Sequence, residues 1–223
     1  MPDILFEDSL LLAVNKPVAM PAQADKTGDM SLLQWAEKHC RQALHPVHRL
    51  DRPASGVLLL AKTKAAMTHL QRQFQEHLVE KEYLAIAGGA ALDPPEATLV
   101  HYLQKNAAKN RSFAYPDARP GADRAELYYR LLGSSDHYHL LLVRLITGRH
   151  HQIRAQLAAI GCPIKGDVKY GARRGNPDRS IHLHAWRLQF EHPGTGEIVR
   201  LIAPVPAADA LWKAFEETIA AAQ

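Results

Sequence analysis

The sequence has little cysteine. Cys40 and Cys162 are the only two, and they form no CxxC pair. That excludes the disulfide framework of small secreted domains and fits a reducing compartment. Long apolar runs are also missing. Nothing approaches the ~20 consecutive apolar residues that a membrane helix needs. The start, "MPDILFEDSLLLAVNKP", carries Asp3, Glu7 and Asp8 but no basic n-region and no small-residue cleavage site. A signal peptide is not expected from this pattern. There is no internal repeat and no low-complexity tract. A large charge imbalance is missing too, since 27 Lys and Arg against 23 Asp and Glu leave a formal net charge of only +4. So mild an excess does not establish a polyanionic partner, although its sign suits one. A cytoplasmic protein without membrane contact is expected.

What is present is a chain of 223 residues, of which 47% are apolar. That is enough for a large core, in one domain or two lobes. "ILFEDSLLLAVNKP" reads as two short strands stopped by Pro17. "SLLQWAEKHCRQA" opens with Ser31 and has Gln34 three residues on, a capping box before a helix. "GVLLLAK" is most simply a short buried strand, although periodicity alone does not exclude a helix. In the next segment Thr63 is an N-cap, and Met67, Leu70, Phe74 and Leu78 recur at helical spacing. "KEYLAIAGG" is a strand, and 91–97 is a turn-rich connection.

Residues 105–124 are basic, broken by Pro and Gly and without a period, so they read as a long surface excursion. "AELYYRLLG" and "HYHLLLVRLITG" form a strand pair. "HHQIRAQLAAIG" is a helix stopped by Gly161. Two late strands and a C-terminal helix after Pro206 follow. Strands come in hairpin-like groups with helices between, which predicts α+β architecture: a mixed, mostly antiparallel sheet with flanking helices.

Three places carry chemistry. In "HPVHRLDRPASG", Asp51 sits between Arg49 and Arg52. It is either a surface ion pair or a carboxylate held ionised by neighbouring guanidinium groups. In "ITGRHHQIRAQL", basic residues crowd a helix start against the macrodipole, which calls for an outside anion or an internal carboxylate such as Asp51. In "KEYLA", Tyr83 is a plain strand aromatic or a platform for a base. His182 and His184 share a strand face, but no standard ligand spacing joins them to a cysteine or carboxylate. No metal is expected.

Together these segments resemble the RluA-type pseudouridine synthases. "HRLDRPASG" is similar to their HRLDxxTSG signature, and "KEYLA" to their second motif. "TGRHHQIRAQL" is similar to their GRxHQIR, and "PIKGDVKYG" and "IHLHAWRL" to the segments that follow. Ala54 stands where the family usually has Thr.

The resemblance implies a single catalytic domain over 1–223, with a central catalytic cleft and no appended N-terminal RNA-binding domain. It implies isomerisation of a uridine in a ribosomal- or transfer-RNA stem-loop, by base flipping and without a cofactor; the sequence is silent on oligomeric state, with a monomer as the default expectation. It assigns Asp51 as the catalytic carboxylate, either attacking C1′ or removing the C2′ proton. It assigns Arg154 as the charge partner of Asp51, Tyr83 as the base-stacking ring and Arg49 as the residue filling the flipped nucleotide's place. Lys16, Arg52, Arg149, His151, Lys165 and Lys169 are candidate phosphate contacts, and 105–124 a candidate RNA-contacting insertion.

Two rivals remain. A non-catalytic RNA-binding protein would explain the basic excess but not an acid set among arginines. A retaining glycosidase would need a second carboxyl ~5–5.5 Å away. Asp167 is the nearest candidate for that role.

Overall fold

The computed structural model describes residues 1–89 and 92–223. The start of the expected 91–97 connection therefore lies outside the described residues. The chain divides into two compact units, residues 1–81 with 184–207, and 82–183 with 208–223.

The first unit opens with a hairpin of β1 (Asp3–Glu7) and β2 (Leu11–Lys16). Asp8 shapes its turn by accepting the amides of Leu10 and Leu11 at 2.8 and 2.7 Å. Helix α1 (Leu32–Cys40) begins with the expected capping box, Ser31 and Gln34 each accepting the other's backbone N–H. The two-residue strand β3 (His45–Pro46) and then β4 (Ser55–Ala61) follow. All seven residues of β4 are buried. Both faces of the strand are covered, so its sequence shows no polar alternation.

Helix α2 (Lys64–Gln75) is capped by Thr63, whose hydroxyl accepts the Ala66 amide. It packs Leu70 on a core that includes Leu11, Val57, Leu59 and Phe190. The helix is shorter than the periodicity suggested. It ends at Gln75, His77 takes a left-handed φ of 59°, and Leu78 lies beyond the turn, 62% exposed.

Strand β5 (Glu80–Gly88) runs on into the second unit. There β6 (Glu96–Asn106), β7 (Arg111–Tyr115), β8 (Asp123–Ser134) and β9 (Tyr138–Leu145) join it in the order β5-β9-β8-β6-β7, all antiparallel. The expected surface excursion at 105–124 is thus corrected. Most of it is the β6–β7 hairpin and the start of β8, with Lys105 opposite Ser112 and Tyr102 opposite Tyr115. Five-residue β7 is too short to display a period, and its Pro- and Gly-rich flank hid it. Helix α3 (Gln152–Ala159) and a 3-10 turn at Val168–Tyr170 pack on this sheet.

Strands β10 (Leu183–Glu191) and β11 (Ile198–Ile202) pair antiparallel, and β10 lies parallel to β4. Short helices α4 (Ala210–Ala214) and α5 (Glu216–Ala221) end the second unit. The architecture is the expected α+β type with mostly antiparallel strands. Among the described residues, no helix is long and apolar enough to cross a membrane.

Candidate active site

The loop carrying Asp51 is built from anchors within the first unit. Its turn closes with the Ala54 amide donating to the Asp51 carbonyl at 3.1 Å. Beneath it Lys16 is fully buried. Its ammonium donates to three main-chain carbonyls, those of Pro17 and Met20 at 2.9 Å and Arg52 at 3.2 Å. Burial pushes this amine down to about 7, while the charge of Asp51 pulls it up. Lys16 was expected among the phosphate contacts. That expectation is corrected, because a buried ammonium whose three protons are all used has no surface to offer RNA.

Arg52 is also placed differently. Its guanidinium is clasped by Asp25 (3.0 Å), Thr27 (2.7 Å) and Asp29, so it holds the 25–29 segment against the loop. Hydrogen bonds from Thr27, and then from Arg52, lower the Asp25 carboxyl, while Arg52 first and then Thr27 lower that of Asp29. Arg49, by contrast, is exposed and makes no side-chain hydrogen bond or ion pair among the described residues.

His48 sets the loop's entry. Its Nε2 accepts the Leu59 amide at 2.9 Å and its ring stacks on Phe74. Desolvation holds the imidazole down at about 4. Its exit is set by β10. His184 Nε2 donates to the Ala203 carbonyl at 3.0 Å, which leaves Nδ1 to accept the Ser55 hydroxyl at 2.8 Å. This ring is fully buried and held neutral, its pKa pushed down to about 4 by burial. Gly56 follows at φ +113°, and a Cβ there would lie 2.2 Å from the Ala185 carbonyl oxygen. The Ser-Gly of "PASG" and the His-Ala of "LHAW" are therefore one contact. Ala54, immediately before Ser55, is fully buried.

In the second unit, the turn before α3 is stapled by Gln152. Its Oε1 accepts from Thr147 Oγ1 (2.8 Å) and the Arg149 amide (2.9 Å), and its Nε2 donates to the Glu126 carbonyl (3.0 Å). One turn on, Gln156 donates to the carbonyls of Leu99 and Ala125 and ties the helix to the sheet. Arg154, between them, is buried. Its Nε and Nη2 reach Asp167 Oδ2 and Oδ1 at 2.6 and 2.9 Å, and its guanidinium carbon lies 5.0 Å from the Tyr170 ring centre. Tyr170 Oη accepts the Ser112 amide at 2.8 Å and lies 3.0 Å from His151 Nδ1. Sequence reasoning did not single out Gln152, Gln156 or Tyr170. The i, i+4 glutamines on a buried helix face were the available signal.

The other expected phosphate contacts divide. Arg149 and Lys169 are exposed, with weak ties to Arg124 O and Asn110 O. Lys165 is half-buried and bound to Asn176 Oδ1 at 2.6 Å. His151 is half-buried, left-handed at φ 54° and stacked on His150 at 3.8 Å. Tyr83 lies in β5 opposite Val143 and is almost wholly buried.

His182 and His184 do not act as a pair of ligands. His182 lies 3.1 Å from Asp209 and 3.2 Å from Asn176. Glu7, His39 and Cys40 do offer ligand atoms within 4.8 Å of one another. Lys62 and His39, however, already hold the Glu7 carboxylate, at 2.7 and 2.9 Å, and keep its pKa at about 2.

A family profile described as RNA pseudouridylate synthase matches residues 10–159. A tRNA pseudouridine synthase C of Haemophilus ducreyi is 34% identical over 224 residues, covering 90% of this chain and 90% of the relative. A ribosomal large subunit pseudouridine synthase C of Yersinia pestis is 33% identical, covering 91% of this chain and 65% of the relative. Among solved structures, human RNA Pseudouridylate Synthase Domain Containing 1 superposes with a TM-score of 0.76 at 26% identity. That match covers 99% of this chain and 95% of the human one.

Proposed function

The chain belongs to the RNA pseudouridylate synthase family and isomerises uridine in RNA to pseudouridine; from that premise we propose that Asp51 carries the reaction on a uridine in a transfer- or ribosomal-RNA stem-loop. The C1′–N1 bond breaks, the uracil turns and a C1′–C5 bond forms. The change is redox-neutral, so it asks for no electron carrier.

Asp51 acts at the ribose, as nucleophile at C1′ or as base at C2′, and both roles need an ionised carboxylate. Arg154 keeps it ionised, Tyr83 stacks on the base, and Arg49 takes the place of the flipped nucleotide. The observation that most supports this reading is the construction around Asp51. Lys16, His48, Ser55 and His184 are used up in holding one short loop, which is the pre-organisation a catalytic carboxylate needs. A module that merely binds RNA gains nothing from it. The bidentate engagement of Asp167 with Arg154 weighs against the two-carboxylate hydrolase.

Phosphate contacts come from Arg149, Lys169 and the β6–β7 hairpin, where Arg119 of the loop after β7 lies 3.4 Å from the centre of the Tyr115 ring. Arg49 contacts the RNA as well, while Lys165 and His151 act mainly by supporting the groups around them. The protein works as a cytoplasmic monomer and as a single catalytic module. The test is pseudouridine mapping of transfer- and ribosomal-RNA transcripts after incubation with the protein. Conversion at a defined stem-loop uridine is expected. RNA binding with no pseudouridine in either class would overturn the reading.

A further inference from the structure

The "GDVKYG" segment contains a buried acid, Asp167. Asp167 and Arg154 both belong to the second unit, and both side chains are nearly inaccessible, at 1% and 6%. They meet fork to fork, at 2.6 and 2.9 Å. Two parallel charge-assisted bonds fix the plane of the guanidinium as well as its position. The surroundings hold the carboxylate equally firmly. Gly166 precedes it at φ +89°, where a Cβ would fall 2.7 Å from both Asn176 Nδ2 and the Ser180 carbonyl. After it, the 3-10 turn delivers Tyr170 to a position 5.0 Å from the guanidinium carbon of Arg154. Arg111 lies 4.9 Å from the same ring. The acid is thus set by backbone constraint and the arginine is set by the acid.

We propose that Asp167 is a positioning residue for the isomerisation. It grips the Nε–Nη2 edge of Arg154 so that the remaining edge is held in a fixed orientation. It also shares the charge of a buried guanidinium. This rests on the assignment of Arg154 as the partner of Asp51. A shift of about 1 Å in a positioning group can reduce a rate by roughly 10²-fold.

The test uses the full chain, radiolabelled RNA at saturating protein and single-turnover rates. Asp167→Asn keeps the shape, and Asp167→Glu keeps the charge but moves it by one methylene. Each should slow pseudouridine formation by roughly 10²-fold, while RNA dissociation constants stay within about twofold and thermal melting confirms a folded protein. Should Asp167→Asn fail to fold, Asp167→Glu decides alone. In an Arg154→Lys background, where no fork can form, either substitution should cost less than about threefold. A full-rate Asp167→Glu would overturn the proposal, and so would an undiminished loss in the Arg154→Lys background. Asp51→Asn is run alongside. If that variant still forms pseudouridine, the underlying reading has failed. If it is inactive while Asp167→Glu is fully active, only the positioning role has.

Discussion

Lowering the pH from 7.5 to 5 should weaken the fold through His184. Its imidazole is fully buried between Ser55 and the Ala203 carbonyl, and burial lowers its pKa from 6.5 to about 4. The unfolded chain, free of that burial, takes up the proton near 6.5. Between those two values the unfolded state binds more protons, so stability is complete above pH 6.5 and falls as the pH drops toward 4. At pH 5 this one ring accounts for a loss of about 2 kcal/mol. His48 adds in the same direction, because a proton on its Nε2 would face the Leu59 amide that it now accepts. The folded-state pKa values of Glu7, Asp8 and Asp209 are lowered, so these carboxylates also lose stability on acidification, chiefly below the pH range of the assay. The assay is urea unfolding at pH 7.5, 6 and 5 for the native chain and for His184→Gln. The variant should be less stable at pH 7.5 but should lose about 2 kcal/mol less on acidification. An identical loss in both proteins would refute the reasoning.

Two other substitutions test the loop's construction. Gly56→Ala drives a Cβ to within 2.2 Å of the Ala185 carbonyl at a left-handed φ, and should cost at least about 3 kcal/mol, read by thermal or urea unfolding. A native-like melting curve would show that β4 and β10 can part there without penalty. Lys16→Met strips the donor from three partly buried carbonyls and should lower stability by roughly 3 kcal/mol. It should leave the salt dependence of RNA binding unchanged. A salt slope reduced by about one would restore Lys16 as a phosphate contact.

Features governed by neighbours in sequence were legible without the structure. Ser31 and Thr63 cap their helices because the cap involves only the next three residues. Gly161 ends α3 for the same local reason. Features governed by partners distant in sequence were not. Lys16 looks like any surface lysine until β4 covers it and the Arg52 carbonyl approaches. Arg52 looks like a free cation until the 25–29 segment folds onto it. Leu78 has helical spacing, but no periodicity records that the chain turns at His77. The β6–β7 hairpin was obscured because its second strand is five residues long and mostly half-exposed. As for the candidate site, the motifs named Asp51 and Arg154, yet the acid gripping Arg154 lies thirteen residues on and shows itself only in space.

The account turns on Asp51. The most direct measurement is pseudouridine formation and RNA binding by Asp51→Asn, alongside the native chain on the same transcript. The substitution removes the charge and keeps the shape. The expected result is RNA bound with near-native affinity and no pseudouridine formed, even after extended incubation. Pseudouridine at the native rate would contradict the assignment outright.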